Sequence, residues 1–307
     1  MKLLILGLVG LLGMSAQEPT QEERVMVLQR FAELCEARTP AARRDAMTQL
    51  VAGGSVTSRV LVEQLEEVAL RDPVALRSVL AELRNIFVPR LIQLLQDRSP
   101  SRANLAAALL GDLGGPEAVA ALRDALPGPT LDRRLTLLNA LGATKDPSVR
   151  PLLAEAARDA TSREVRLAAL RALGALGQME GAPLLIERLD DEDYAIRQAS
   201  AQALIALGKA VLPLLRNGIE ERKDRGRALS VRVASAFPGE SAFALIADRV
   251  SDSAWPVRLQ VVEALARREE PQAKELLRSR LDTELDPLVR SRLVRWCKVG
   301  EKSEESR

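Results

Sequence analysis

The stretch PLLIERLDDEDYAIRQASAQALIALG, residues 183–208, decides the fold. It begins inside a short apolar run, GAPLLIERLDD from Gly181, and then turns acidic at DEDYAIR, with side chains that accept hydrogen bonds from the first free N–H groups of a helix. Beyond Arg197 come Ala201, Ala203 and Leu204, four, six and seven residues on, offsets that share one helical face. Gly208 follows, where a left-handed cap favours a residue without Cβ. The stretch reads as a short helix, an acidic turn and a longer helix with a defined stop.

The same unit recurs. Arginines stand at Arg102, Arg134, Arg166, Arg197, Arg227, Arg258 and Arg290, at intervals of 32, 32, 31, 30, 31 and 32. Around them RRLTLLNALGATK, VRLAALRALGALG, IRQASAQALIALG and VRLQVVEALARRE align without gaps, with Ala or Leu at plus three, four, six and seven in most copies. Gly142 and Gly177 are read, like Gly208, as helix ends. Between these helices lie shorter apolar runs, PEAVAALRDAL, GAPLLIERLDD, KAVLPLLRNGI and ESAFALIADRVSD, so each period is a helical hairpin. A sustained period of this size means stacked units, because one hairpin cannot bury its apolar face alone.

On these residues the stretch 183–208 resembles a HEAT repeat: a first helix with proline and a leucine-rich face, aspartate at the turn, and a branched residue before the arginine of the second helix. The likeness covers most of residues 21–298, about nine helix pairs, and is to the short bacterial variety that also occurs in bilin lyases. It implies an all-α chain, an α-α superhelix or HEAT-like solenoid of the armadillo-like helical kind. Residues 17–298 form that solenoid, 1–16 a signal peptide and 299–307 a charged flexible tail. The first two pairs are degenerate, since Arg44 and Arg77 fit the beat only roughly and AGGSVTS, residues 52–58, replaces a clean turn. In HEAT-like folds the arginine and the turn aspartate form a ladder between repeats. The resemblance therefore gives Arg102, Arg134, Arg166, Arg197, Arg227, Arg258 and Arg290 a structural role. Arg166 is expected to reach toward Asp159, and Arg197 toward Asp190, Asp191 or Asp193. A charge at a core-facing position is costly unless paired, and the planar guanidinium can bond carbonyls and a carboxylate together.

Bulk composition agrees. The chain has 307 residues, 47% apolar, which argues against disorder, and only 2% aromatic, which suits helices packed through small side chains. Forty-four basic against 42 acidic residues leave a formal charge of +2, too small for a global field toward nucleic acid or anionic lipid. Near the end Arg267, Arg268, Lys274, Arg278, Arg280, Arg290, Arg292, Arg295 and Lys298 outnumber the nearby acids and read as a solvated face. MKLLILGLVGLLGMSAQEP, with Lys2, an apolar run from Leu3 to Leu12 and small residues to Ala16, reads as a secretory signal peptide, an uncleaved anchor being the alternative. Cys35 and Cys297, far apart in an elongated chain, are expected as buried thiols.

Little here points to catalysis. There is no histidine, which removes Ser-His and Cys-His nucleophiles and the HExxH zinc pattern, and separates the chain from the deoxyhypusine hydroxylases, whose HEAT-like repeats carry His-Glu metal ligands. GDLGGPE, residues 111–117, lacks the Gly-Lys-Ser/Thr ending of a phosphate loop and reads as a turn. No catalytic residue, cofactor or metal is expected. What remains is surface. Five residues after each arginine stand Asn139, Arg171, Gln202, Arg232, Glu263 and Arg295, polar in every regular repeat and opposite the core in helical phase. In HEAT-like solenoids the second helix lines the inner curve, so this row is expected as a ridge on the concave face. Tyr194 and Trp255, each three residues before its arginine, are interface anchors or seals of the turn against the core. The reading is an exported, periplasmic or secreted, non-catalytic scaffold that binds a protein partner. The rivals are an enzyme subunit of the bilin-lyase kind and a nucleic-acid or polyanion binder; balanced charge and Glu263 in the row disfavour nucleic acid.

Overall fold

The computed structural model describes residues 18–127, 130–159 and 161–304, with side chains through 296. Residues 1–16, expected as the signal peptide, lie outside them. Among the described residues there are nineteen α-helices, five single-turn 3-10 helices and no strand. The chain divides into two compact units, Met1–Ala106 and Ala107–Arg307.

The first unit holds α1 (Gln21–Glu36), α2 (Pro40–Ala52), α3 (Gly54–Glu63), α4 (Leu65–Arg71), α5 (Pro73–Glu82), α6 (Arg84–Leu94) and the start of α7 (Pro100–Leu113). Local chemistry sets the helix starts. Thr20 and Glu23 form a reciprocal capping box on α1, Thr39 caps α2 ahead of Pro40, and Asp72 accepts from the N–H groups of Val74 and Ala75 ahead of Pro73. The irregularity expected at AGGSVTS takes a definite form: α2 ends at Ala52, α3 starts at Gly54, and the buried Thr57 hydroxyl bonds the Leu50 carbonyl at 2.8 Å. The next first-position helix is broken in two at Gln64. Counting α3 and α4 as one, the nineteen helices make nine hairpins in chain order. Arg44 and Arg77 are both exposed, consistent with their rough fit to the beat. Cys35, expected as buried, is half-buried and free on α1.

The second unit is regular. Six pairs follow: α8 (Pro116–Ala125) with α9 (Leu131–Ala143), α10 (Arg150–Ala156) with α11 (Arg163–Leu176), and α12 (Ala182–Glu187) with α13 (Tyr194–Leu207). Then come α14 (Leu212–Arg216) with α15 (Asp224–Ser235), α16 (Glu240–Ala247) with α17 (Trp255–Leu265), and α18 (Pro271–Thr283) with α19 (Pro287–Glu304). Helix α19 runs through Glu304, into the stretch expected as a tail. Of GDLGGPE only Gly114 and Gly115, both at positive φ, form the turn; residues 111–113 end α7, and Pro116 and Glu117 start α8. Thr130, Ser162, Asp193 and Asp286 accept backbone N–H bonds at the starts of the second helices, as the acidic and hydroxyl signals require.

The second helices α9, α11, α13, α15, α17 and α19 lie side by side, each against the next. Their buried faces carry Leu137, Leu138 and Leu141, then Leu170 and Leu173, then Leu204, Val231, Val261, Val262 and Leu265. These are the predicted offsets. The closest approaches use residues without bulk. A Cβ on Gly142 would lie 2.6 Å from the Ala172 backbone, one on Gly174 would lie 2.7 Å from the Ala203 Cα, and one on Gly111 would lie 2.6 Å from the Ala140 carbonyl oxygen. Gly142 is thus an interior helix residue that lets two backbones meet, and the expectation that it is a cap is corrected. Gly177 does cap α11, in the left-handed conformation at φ 78°.

Candidate functional site

The arginine column sits at the starts of the second helices, beside the turns that join each pair, and bonds across two distances, Arg227 and Arg258 across both. Backward, four of them reach carbonyls of their own turn. Arg166 Nη1 donates to the Asp159 carbonyl at 2.9 Å, Arg197 Nη1 to Asp191 and Glu192 at 2.8 and 2.9 Å, Arg227 Nη1 to Arg222 at 2.7 Å, and Arg258 Nη1 to Asp252 and Ser253 at 2.9 and 3.0 Å. Forward, several reach a carboxylate in the turn of the next repeat. Arg134 meets Asp159 at 3.2 Å, Arg227 grips Asp252 with two bonds of 2.9 Å, and Arg258 grips Glu284 at 2.9 and 2.8 Å. Arg102, in the first unit, bonds Asp97 at 3.3 Å and the Val62 carbonyl.

One expectation is corrected here. Arg166 does approach Asp159, but through the backbone carbonyl, because the Asp159 carboxylate belongs to Arg134 of the preceding repeat. Arg197 likewise takes the Asp191 carbonyl and not a carboxylate. Its forward position holds Arg222 where other repeats hold an acid. Arg222 turns its guanidinium to the Leu215 and Asn217 carbonyls and the Ser230 hydroxyl. Arg290 departs further: it is exposed and its guanidinium has no bond among the described residues. It lies on α19, the last of the described helices.

Burial and pairing set the charge states. Glu284 is fully buried, which works to raise its pKa, yet the bonds from Arg258, the Asp286 N–H and Arg280 prevail and bring it down to about 2. Burial also opposes ionisation of Asp252, but Arg227 and the Ala254 N–H hold it below the usual carboxylate range. Asp159 is lowered chiefly by hydrogen bonds from Thr161. The hydrogen bonds that Arg227 donates to Asp252 and Arg258 to Glu284 raise both guanidinium pKa values further. These carboxylates are locked in their ionised form, which suits them to hold arginines and not to exchange protons at neutral pH.

The row five residues on has a different character. Asn139, Arg171, Gln202 and Arg295 are exposed and Arg232 and Glu263 are partly exposed, on the helix face opposite the buried leucines. Because the second helices stack in sequence, the structure brings these side chains onto one face of the second unit, one per helix from α9 to α19. Glu263 is occupied by Arg292 at 2.9 Å. The guanidinium groups of Arg171, Arg232 and Arg295 make no hydrogen bond or ion pair among the described residues. Tyr194 and Trp255, 66% and 42% exposed, do not seal the turns against the core. They stand at the helix starts, eight residues and thus about 12 Å from the row, so the structure leaves them on a separate edge. There Arg197 lies over the Tyr194 ring at 5.6 Å.

Sequence reading missed two features. One is the forward acid, 25 residues after Arg134 and Arg227 and 26 after Arg258, a second column with the beat of the first. The other is the glycine–alanine approach between second helices. Among the described residues no group of three or more His, Cys, Asp or Glu is placed to hold a metal ion, and no single helix is long and apolar enough to cross a membrane.

The HEAT repeats model matches residues 88–172, 129–205, 152–234 and 212–295. No curated protein matches the sequence. Among solved structures, human deoxyhypusine hydroxylase aligns at 18% identity over 92% of this chain and 98% of that chain, with a TM-score of 0.32. The complex of CpcE and CpcF of phycocyanin lyase from Nostoc sp. aligns at 21% identity over 84% and 94%, TM-score 0.34. YibA of Escherichia coli aligns at 16% identity over 92% and 98%, TM-score 0.39. With overlapping repeats matched from residue 88 to residue 295 and the hairpins stacked as such repeats stack, the chain belongs to the HEAT-repeat family.

Proposed function

We propose that the chain is a non-catalytic scaffold, exported through residues 1–16, that binds a protein partner along the face carrying Asn139, Arg171, Gln202, Arg232, Glu263 and Arg295. One observation carries this reading. The arginines of the repeating column, Arg290 apart, are consumed by the fold, whereas those of the row five residues on stand accessible with their hydrogen-bonding groups unused. The close backbone approach at Gly142 and Gly174 further supports a row on the inner curve, since the layer whose helices lie nearest each other is the inner one in a bent stack. HEAT repeats typically mediate protein binding, and a rigid repeat surface needs no moving part to do so.

The test is affinity capture with the mature chain, wild type against the Arg171→Ala/Arg232→Ala/Arg295→Ala variant, with helicity and unfolding midpoint checked in parallel. Loss of a wild-type partner at unchanged fold is the expected result. An identical set of captured proteins places the binding face elsewhere. Export is tested separately, by N-terminal sequencing of the chain recovered from outside the cytoplasm; a chain beginning at Met1 in the cytoplasm contradicts it.

A further inference from the structure

We infer that the partner presents an extended acidic polypeptide segment to this row, with carboxylates about six residues apart. The inference rests on the reading of the row as a binding face and adds the chemistry of what binds.

The first observation is where the chain leaves its arginines unpaired. Acidic and basic residues are nearly equal in number, 42 and 44, so acids are not scarce. Elsewhere on the second unit several arginines find them across repeats: the exposed Arg163 with Asp193 and Arg216 with Asp248, and the less exposed Arg225 with Glu192 and Arg249 with Glu220, although Arg290 also goes unpaired. On the row, Glu263 is taken by Arg292, and Arg171, Arg232 and Arg295 are left with free guanidinium groups. A planar fork of donors without a protein acceptor is suited to bidentate capture of a carboxylate from outside.

The second observation is spacing. Arg171, Arg232 and Arg295 lie on α11, α15 and α19, every second helix of the layer, with Gln202 on α13 between the first two. Packed helices stand about 8–10 Å apart, so successive arginines are roughly 16–20 Å apart. An extended chain advances about 3.3 Å per residue, which sets the carboxylates five or six residues apart. The amide of Gln202, between the first two carboxylates, and that of Asn139, one helix before Arg171, are also without bonds among the described residues and offer both a donor and an acceptor to main-chain groups of the segment. Duplex DNA fits poorly by the same measure: it carries one phosphate per about 1.7 Å of axis, and cations this sparse would neutralise only a few.

Fluorescence anisotropy on the full chain tests this with four labelled probes: a Ser/Gly/Thr peptide of about fifteen residues with glutamates six apart, its isomer with the glutamates adjacent, a lysine version of the spaced peptide, and a short DNA duplex. The spaced acidic peptide is expected to bind best. The Arg171→Ala/Arg232→Ala/Arg295→Ala variant should weaken it by roughly tenfold or more, while Arg290→Ala, at an exposed and unpaired arginine off the row, leaves it unchanged. Equal binding of the two acidic isomers, equal loss in Arg290→Ala, or tighter binding of the duplex overturns the inference. If no peptide binds while the triple variant still loses its captured partner, the acidic-segment inference falls and the binding face stands. If neither measurement responds to the triple variant, both fall.

Discussion

Replacing Glu284 by Gln tests how strongly a forward carboxylate holds neighbouring repeats. The side chain is 0% exposed and accepts from Arg258, Arg280 and the Asp286 N–H, which brings its pKa from 4.5 down to about 2. A depression of that size corresponds to about 3 kcal/mol favouring the folded state when the carboxylate is ionised. No discount for solvent screening applies to a group with no exposure. Because the folded pKa lies below the unfolded one, the contribution is complete above roughly pH 5 and is lost as pH falls through 4.5 toward 2. Glu284→Gln should therefore lower stability by about 3 kcal/mol at pH 7, and the gap to wild type should close as pH falls toward 2. Urea unfolding at several pH values measures this, followed by the fluorescence of Trp255 on α17 and Trp296 on α19, the two tryptophans of the chain. A gap that persists undiminished at pH 2.5, or no gap at pH 7, refutes the assignment of the stabilisation to this ionised carboxylate.

Other expectations follow from the same geometry. Gly142→Ala and Gly174→Ala gain helix propensity of up to about 1 kcal/mol, but each places a Cβ within 2.8 Å of backbone in the next helix. Forcing the helices apart costs about 1–3 kcal/mol, so both variants should melt below wild type in a thermal scan. Gly208→Ala meets no atom within 4 Å and is strained only by its φ of 87°, so its cost comes from the backbone alone and should be unchanged when either interior glycine is also substituted. Glu192 is held at about 2 first by Arg225 and then by Lys223, yet its side chain is 77% exposed, where water and salt screen the pairs. Glu192→Gln should leave the unfolding midpoint unchanged at physiological salt.

The hairpins were legible because a buried stripe recurs at fixed offsets from one conspicuous residue, and offsets such as Leu141, Leu173 and Leu204 survive any uncertainty about where helices begin. The partners of the arginines were only half legible. Proximity in sequence points Arg166 at Asp159, but that carboxylate faces the preceding repeat, so the bond that crosses repeats spans 25 residues and the local one uses a carbonyl. Gly142 misleads for a similar reason: a glycine late in a repeat looks like a cap, and only the distance to Ala172 shows that its missing side chain admits a neighbouring backbone. The polar row was legible from helical phase. That its arginines go unpaired was not, since it depends on which residues of adjacent helices meet. For Tyr194 and Trp255, sequence fixes the position three residues before the arginine but not whether the ring turns inward; both turn outward.

The claim that the repeating arginines belong to the fold is tested most directly by unfolding midpoints of single alanine variants along the column. The account predicts a graded series set by partners. Arg227→Ala, which takes from the largely buried Asp252 its one guanidinium, should cost about 3 kcal/mol or more, and Arg258→Ala, which leaves Glu284 the Arg280 bond, about 2–3 kcal/mol. Arg134→Ala, with one more exposed contact, should cost less. Arg290→Ala, which strands nothing, should stay within about 0.5 kcal/mol of wild type. Equal losses along the column, or none at Arg227 and Arg258, would contradict it.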